Sequence, residues 1–371
     1  MEINKIYKGD ALEVLRTFPE KSIDCVVTSP PYWALRDYGD TVRSIFGGNP
    51  DCNHTWGDSL GGIKHPVDTL CGACREVDID CGQTCTKCGA WRGQLGAEPD
   101  FNDYVKHLCD IFSEAWRVLK DEGSLWVNIG DTYYTKSGSY FVYDNIGKKN
   151  ADEVTKTTGL NKVNNLRGRG ILPEKSLCNI PARFSIEMQN RGWILRNEVI
   201  WHKPNCMPSS VDDRFTVDFE KIFFFVKQRK YYFKQLLEPM AQSTIMRAKY
   251  GTKSKKTDQG QYAGMDIERQ EDIFAKIRSG EIDGHNMRCV WTMSLRPFKD
   301  NHFASYPQHL VVRPLEATCP EGGVVLDPFM GSGTTGVVAR KLQCNYVGIE
   351  LNSKYIEIAN KRIYNEIGLF L

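Results

Sequence analysis

No run of about 18 apolar residues occurs in this 371-residue chain, so it offers no membrane-spanning helix and no membrane partner is expected. Nor does one sign of charge dominate. Forty-eight Lys and Arg stand against 46 Asp and Glu, a net charge of +2, so any nucleic-acid footprint must be a local patch. The opening residues Met1-Glu2-Ile3-Asn4-Lys5 lack the basic and apolar regions of a secretory signal, and a cytoplasmic location is expected. There is no internal repeat, which removes solenoid and propeller folds. Thirteen cysteines are present, but without an export signal they read as reduced thiols rather than a disulfide framework.

Against these absences, 41% hydrophobic and 25% charged residues describe an ordinary globular protein with a substantial core. Apolar runs of strand length alternate with helical segments, the pattern of a mostly parallel sheet covered on both faces. Strands are expected at Ile3 to Tyr7, Ile23 to Thr28, Ser124 to Ile129, Ile194 to Trp201, Lys221 to Val226, Val324 to Asp327 and Tyr346 to Glu350, about seven in all. Helices are expected at Ala11 to Phe18, Phe101 to Leu119, Pro181 to Asn190, Gln308 to Ala317, Thr334 to Leu342 and Ser353 to Ile367. Three long segments read as insertions: Asp40 to Pro99, Thr132 to Leu172 and Phe233 to Arg288. Insertions of that length normally bind something or form a subdomain. Two carry basic clusters, Lys162 with Arg167 and Arg169, and Arg247, Lys249, Lys253, Lys255 and Lys256.

Near the C-terminus, Val324-Val325-Leu326-Asp327-Pro328-Phe329-Met330-Gly331-Ser332-Gly333-Thr334-Thr335-Gly336 runs from a buried strand through a tight turn into a helix. Glycine lets the backbone approach a ligand at that helix N-terminus. Glu350, 19 residues after Gly331, ends the next strand, where a carboxylate can accept hydrogen bonds from ribose hydroxyls. Together they describe a nucleoside-binding crevice. The turn also matches the dinucleotide fingerprint G-x-G-x-x-G. However, a dinucleotide fold builds its sheet downstream of the turn, and only 21 residues follow Glu350. The remaining strands must therefore come from upstream, giving a permuted sheet.

A second punctuated strand, Ile23-Asp24-Cys25-Val26-Val27-Thr28-Ser29-Pro30-Pro31-Tyr32-Trp33, ends abruptly at two prolines. They fix Ser29 and the Pro30 carbonyl at the C-terminal edge of the strand, where open α/β sheets bind ligands. A hydroxyl and a carbonyl can accept two protons from an amino group, with the Tyr32 ring available for stacking. Such acceptors suit a base amine, whose lone pair is shared with the ring. Drawing the nitrogen toward tetrahedral geometry localises that pair for attack on an activated methyl group.

Between Cys71 and Cys88 lie five cysteines, including Cys71-Gly72-Ala73-Cys74 and Cys85-Thr86-Lys87-Cys88 with ten residues between the pairs. That is structural zinc spacing. Cys52 and His54 can equally join Cys85 and Cys88, leaving Cys71 and Cys74 in an excursion.

Both Thr28-Ser29-Pro30-Pro31-Tyr32-Trp33 and Asp327-Pro328-Phe329-Met330-Gly331-Ser332-Gly333 resemble motifs of the amino-methylating DNA methyltransferases, the catalytic and the cofactor motif respectively. The catalytic motif comes first and the cofactor motif last, an order similar to the beta class. The resemblance extends to Gly9-Asp10 and Asn128-Ile129-Gly130-Asp131. It implies an α/β fold: a circularly permuted Rossmann-like sheet carrying an antiparallel strand, helices on both faces, and two insertions. The implied division begins with a first catalytic segment at 1–39, a zinc-binding insertion at 40–99 and a second catalytic segment at 100–232. A target-recognition insertion at 233–288 and a cofactor-binding catalytic segment at 289–371 complete it.

The resemblance places the methionine moiety of S-adenosylmethionine near Asp327, Phe329, Gly331 and Gly333, in a turn that includes Pro328, Ser332 and Thr334. It places the ribose at Glu350 and the adenine near Asp10. Ser29, Pro30 and Tyr32, with Pro31 behind them, would hold a base flipped out of duplex DNA. The segment Asn301-His302-Phe303-Ala304-Ser305-Tyr306-Pro307 is similar to the stretch that covers the methionine end. Serine at the first catalytic position implies cytosine N4 as the target, with adenine N6 the close alternative. The pairing of C-x-H with a later C-x-x-C-G-A-W implies Cys52, His54, Cys85 and Cys88 as ligands of a structural Zn²⁺. The implied partners are double-stranded DNA and a companion restriction endonuclease, with the enzyme a monomer or homodimer. Among rivals, RNA or protein-glutamine methylation would use a related motif. A non-catalytic zinc module binding nucleic acid would leave Ser29 and the glycine turn idle. Trp201-His202-Lys203-Pro204-Asn205 either faces the nucleic acid or holds a structural histidine.

Overall fold

A computed structural model of the chain describes residues 1–35, 43–60, 62–67, 75–134, 172–173, 175–206, 208, 212–250, 267–294 and 306–368. Cys71 and Cys74, the cluster of Lys162, Arg167 and Arg169, Lys253, Lys255 and Lys256, and residues 301–305 lie outside the described residues.

The large sheet contains β1 (Lys5–Lys8), β2 (Ile23–Thr28), β3 (Leu119–Ile129), β4 (Ile194–His202), β5 (Phe219–Val226), β6 (Val290–Thr292), β7 (Val324–Asp327) and β8 (Asn345–Glu350). Their spatial order is β1-β8-β7-β2-β3-β5-β4-β6. All neighbours are parallel except at β5, which runs antiparallel to both β3 and β4. The late strand β7 lies directly beside the early strand β2, with Val325 opposite Cys25 and Leu326 opposite Val26. From β7 the chain passes to β8 on one side, and from β2 to β3 on the other. The junction is a topological switch point, where a crevice opens beyond the strand ends.

All six residues of β2 are buried, as a central strand covered on both faces requires. On one side lies α2 (Phe101–Val118), which follows α1 (Ala11–Thr17). Asp100 caps α2 by accepting from the Asn102 N–H at 2.8 Å. Phe101, Tyr104, Val105, Leu108, Phe112 and Ala115 recur at three- and four-residue spacing and are buried. The remaining sheet-covering helices are α3 (Ile180–Asn190), α4 (His309–Thr318), α5 (Thr334–Lys341) and α6 (Ser353–Gly368). Strand β5 buries both faces although it is antiparallel. Phe224 stacks on its cross-strand partner Trp126 at 4.3 Å, and Phe223 and Phe225 meet Phe184 of α3, each at 6.1 Å.

Strand β6 is an eighth strand, absent from the seven expected. It has three residues, of which only Trp291 is buried, and it extends the edge beside β4. Segments Ser44–Phe46, Trp91–Gly93, Gln83–Cys85 and Trp56–Ser59 form a separate four-stranded antiparallel sheet. Phe46 and Trp91 stack with His107 of α2 at 4.5 and 5.5 Å, which joins this small sheet to the main core. Residues Phe233–Cys289 make a second compact unit. Within it Leu237–Pro239 pairs with Gly284–Asn286, and Arg278 donates to the Ala248 carbonyl at 2.8 Å, linking the two helices Gln242–Tyr250 and Ile267–Ser279. No described helix is long and apolar enough to cross a membrane.

Candidate active site and metal-ligand cluster

A cavity of about 320 Å³ opens at the switch point, within the roughly 300–1,000 Å³ of small-molecule clefts. On one side its wall includes Asp10, Phe329, Gly331, Ser332, Thr334 and Glu350; on the other are Ser29, Pro30, Pro31 and Tyr32. The structure thus brings together two motifs some 300 residues apart, as the register of β2 and β7 demands.

The glycine turn is held from several directions. Gly333 sits at φ +82°, and a Cβ there would come within 2.9 Å of Ala359. Arg362 of α6 donates to the Ser332 carbonyl and to Thr334 Oγ1 at 3.3 and 3.0 Å. Both Glu350 oxygens accept backbone N–H groups, from Gly331 at 2.9 Å and Asn352 at 2.8 Å. Asp10 caps α1 and accepts from Ser44 as well as from the Glu13 N–H.

Two residues expected at the ligand stand behind the cavity wall instead. Gly333 packs on α6, and Asp327, 1% exposed, spends its carboxylate on protein donors. Thr28 Oγ1 and the Phe329 N–H reach Oδ1 at 2.6 and 3.0 Å, while Thr335 Oγ1 and Tyr306 Oη reach Oδ2 at 2.6 and 3.2 Å. Burial pushes this carboxyl up despite those donors. The physical effect is a tie between the end of β2, the start of α5 and Tyr306.

Burial also pushes the Glu350 carboxyl up, against the backbone N–H groups of Asn352 and Gly331 that favour its charged form. A carboxyl raised by folding lends stability that is fully present below its unfolded value, about 4.3, and lost as pH rises through the folded one. Glu350→Gln deletes that titration. The stability of the variant minus that of the parent is therefore expected to become more positive from about pH 4 to pH 7. Urea unfolding at a series of pH values checks this, and a difference independent of pH would contradict it.

On the opposite wall Tyr32 turns its hydroxyl into the sheet edge. It lies 2.7 Å from Glu220 Oε2 and 3.0 Å from Asn128 Oδ1, with Ser29 Oγ at 3.4 Å. Gly130 is required beneath the ring, since a Cβ there would meet Tyr32 Cε2 at 2.6 Å. Tyr104 Oη donates to the Pro31 carbonyl at 2.7 Å, and Trp33 Nε1 to the Glu98 carbonyl at 2.8 Å, fixing the proline corner.

Glu220, Asn128 and Trp201 also line the cavity; Asn128 and Trp201 lie in stretches the sequence marks, whereas Glu220 does not stand out there as a site residue. The expected strand begins at Lys221, so Glu220 falls just outside it. Its only local signal is an acid two residues before the apolar run Ile222 to Val226. Lys203 pairs with Glu220 at 2.9 Å. His202 contacts Thr292 Oγ1 through Nδ1 at 3.1 Å and does not line the cavity.

In the small sheet, one ligand atom from each of Cys52, His54, Cys85 and Cys88 lies within 4.8 Å of the others. A tetrahedral ion with bonds of about 2.0–2.3 Å needs edges of roughly 3.5 Å, so the set is close to a closed site. Cys88 Sγ and His54 Nδ1 are already 3.3 Å apart. Burial opposes ionisation of Cys85, yet backbone N–H groups of Cys88 and Lys87 pull its thiol down to about 5. The donor set fits a structural zinc.

An open sheet with one antiparallel strand and a ligand crevice beside the junction of a late and an early strand defines a circularly permuted Rossmann-like methyltransferase. A family model for N6/N4 enzymes, described as DNA methylase, matches residues 23–361. The chain belongs to this family and is a DNA methyltransferase. Among its relatives, Type II methyltransferase M.SmaI of Serratia marcescens is 33% identical over 359 residues, 97% of this chain and 90% of the relative. Type II methyltransferase M.Cfr9I of Citrobacter freundii is 33% identical over 368 residues, 99% and 90% of the two chains. The solved PvuII DNA methyltransferase (cytosine-N4-specific) shares the fold at a TM-score of 0.52 and 16% identity, covering 99% of this chain and 92% of its own.

Proposed function

We propose that this DNA methyltransferase acts on the N4 amino group of a cytosine flipped out of duplex DNA, with S-adenosylmethionine as methyl donor. The observation that carries the reading is the presence of Ser29 and Pro30 in the lining of the same cavity as Gly331 and Glu350. When bound, S-adenosylmethionine supplies an already activated methyl group on sulfonium. Glu350 would accept its ribose hydroxyls and the turn Pro328 to Thr334 would cradle its methionine end, with Asp10 toward the adenine. Ser29 Oγ and the Pro30 carbonyl would accept the two amine protons and localise the nitrogen lone pair. No covalent enzyme intermediate is needed. The short serine hydroxyl, rather than a carboxyl or amide, favours cytosine over adenine.

We assign Cys52, His54, Cys85 and Cys88 to a structural zinc without an open position. Segment 233–288 is the proposed target-recognition element, with Arg247 and Lys249 exposed on helix Gln242–Tyr250 for phosphate contact. The resemblance supports a restriction–modification setting with a companion endonuclease. Duplex DNA incubated with labelled S-adenosylmethionine, then digested to nucleosides, is expected to yield N4-methylcytosine. N6-methyladenine would replace the target base, and no incorporation would overturn the reading.

A further inference from the structure

We propose that Glu220 is a positioning residue for methyl transfer: acting through Tyr32, it makes Ser29 a hydrogen-bond acceptor for the amine and receives the proton that the amine must lose. The inference rests on the reading of Ser29 as the group that grips the amine. Because β5 alone among the described strands of the large sheet runs antiparallel, its N-terminal end reaches the cavity beside the C-terminal ends of its neighbours, Asn128 of β3 and Trp201 of β4. This places a carboxylate where neighbouring strands offer none.

Three donors compensate its partial desolvation. Tyr32 Oη and Asn128 Nδ2 reach Oε2 at 2.7 and 3.1 Å, and Lys203 Nζ reaches Oε1 at 2.9 Å. Tyr32 has one proton and two candidate acceptors, Glu220 and Asn128. The carboxylate is charged and closer, so the phenol proton goes there. Burial, reinforced by the charge of Glu220, pushes the Tyr32 phenol well up, and it stays protonated. With that proton committed, the phenol oxygen can only accept. Ser29 Oγ, 3.4 Å away, donates to it, a contact of the kind that tightens when substrate fills a site. A hydroxyl has one proton and two lone pairs. Once its proton points at Tyr32, Ser29 presents only lone pairs to the cavity.

The same chain carries the proton away. As the amine nitrogen bonds to the methyl carbon, the carbon–sulfur bond breaks and its electron pair stays on sulfur. The nitrogen then bears one proton in excess. It passes that proton to Ser29 Oγ, Ser29 passes its own to Tyr32 Oη, and the phenol proton moves to Glu220 Oε2. A sulfonium and a carboxylate thereby become a thioether and a neutral carboxyl, and the methylated amine is left uncharged. Glu220 re-ionises to water between turnovers.

The test is a double-mutant cycle on the full-length protein, read by single-turnover methyl transfer alongside equilibrium binding of S-adenosylmethionine and duplex DNA. Glu220→Gln is expected to slow transfer on the order of 10²-fold, with both affinities within about twofold of the parent. Tyr32→Phe interrupts the same chain, so adding Glu220→Gln to it should cost little more. Should Glu220→Gln fold poorly, Glu220→Asp, which keeps the charge opposite Lys203 but withdraws it from Tyr32, takes its place in the cycle. Effects that multiply independently, or a Glu220 variant with an unchanged transfer rate, overturn the proposal while leaving Ser29 in its role. A parent enzyme that methylates no DNA overturns both readings.

Discussion

Alanine at position 29 is expected to slow methyl transfer by about 10²- to 10³-fold, the usual cost of removing one preorganised hydrogen-bonding group from a reacting centre, while S-adenosylmethionine binds as before. The substitution removes one oxygen and little else. Pro30 and Pro31 still fix the backbone, the Pro31 carbonyl still accepts from Tyr104, and Thr28 remains tied to Asp327. The proposed cofactor groups come from other elements, the turn after β7, the end of β8 and the Asp10 cap of α1, and lose no contact. Rapid-quench transfer measured with equilibrium dialysis separates the two effects. Full activity in Ser29→Ala would remove this residue from the mechanism, whereas a matching loss of cofactor affinity would show that its contribution lies in the ground state.

Strand β2 and strand β7 were legible to the residue, because Pro-Pro ends one and Asp-Pro with a glycine turn ends the other. The order of the two motifs, catalytic first and cofactor last, implied a permuted sheet, and the register of Val325 with Cys25 shows the two strands side by side. Where polar residues are admitted into a strand, the pattern is less informative. Strand β3 begins at Leu119 and carries Lys120, Asp121 and Glu122 before its buried run, and β5 begins at Phe219, two residues before the expected Lys221. The second shift decided whether Glu220 belonged to the site.

Side-chain pairings across long separations were not legible at all. The contact of Tyr32 with Glu220 spans 188 positions, and nothing local to either residue indicates it. Asp327 is instructive in the other direction. Its position in the motif suggested a ligand contact, but a carboxylate buried among two threonines, a tyrosine and a backbone N–H has its capacity taken up by the fold.

Serine in place of Cys85 is expected to reduce bound zinc from about one per chain to nearly none, as read by elemental analysis. It should also cost several kcal/mol of stability, given the roughly 10–16 kcal/mol carried by structural zinc in small domains. The short strands around the cluster have little core of their own. Their anchorage is Phe46 and Trp91 against His107, whose Nδ1 lies 3.1 Å from buried Glu98. From that anchorage the chain reaches the catalytic corner directly: Gly96 accepts from the Ala34 N–H at 2.6 Å, and Glu98 accepts from Trp33. The insertion also lines the cavity through Ser44, Phe46, Gln94 and Leu95, so loosening it should lower methyl transfer, and added zinc should not restore it in Cys85→Ser. Cys74→Ser is the discriminating partner, because retained zinc in that variant fits the set of Cys52, His54, Cys85 and Cys88. Zinc lost from Cys74→Ser but kept in Cys52→Ser would instead assign the ion to the two C-x-x-C turns.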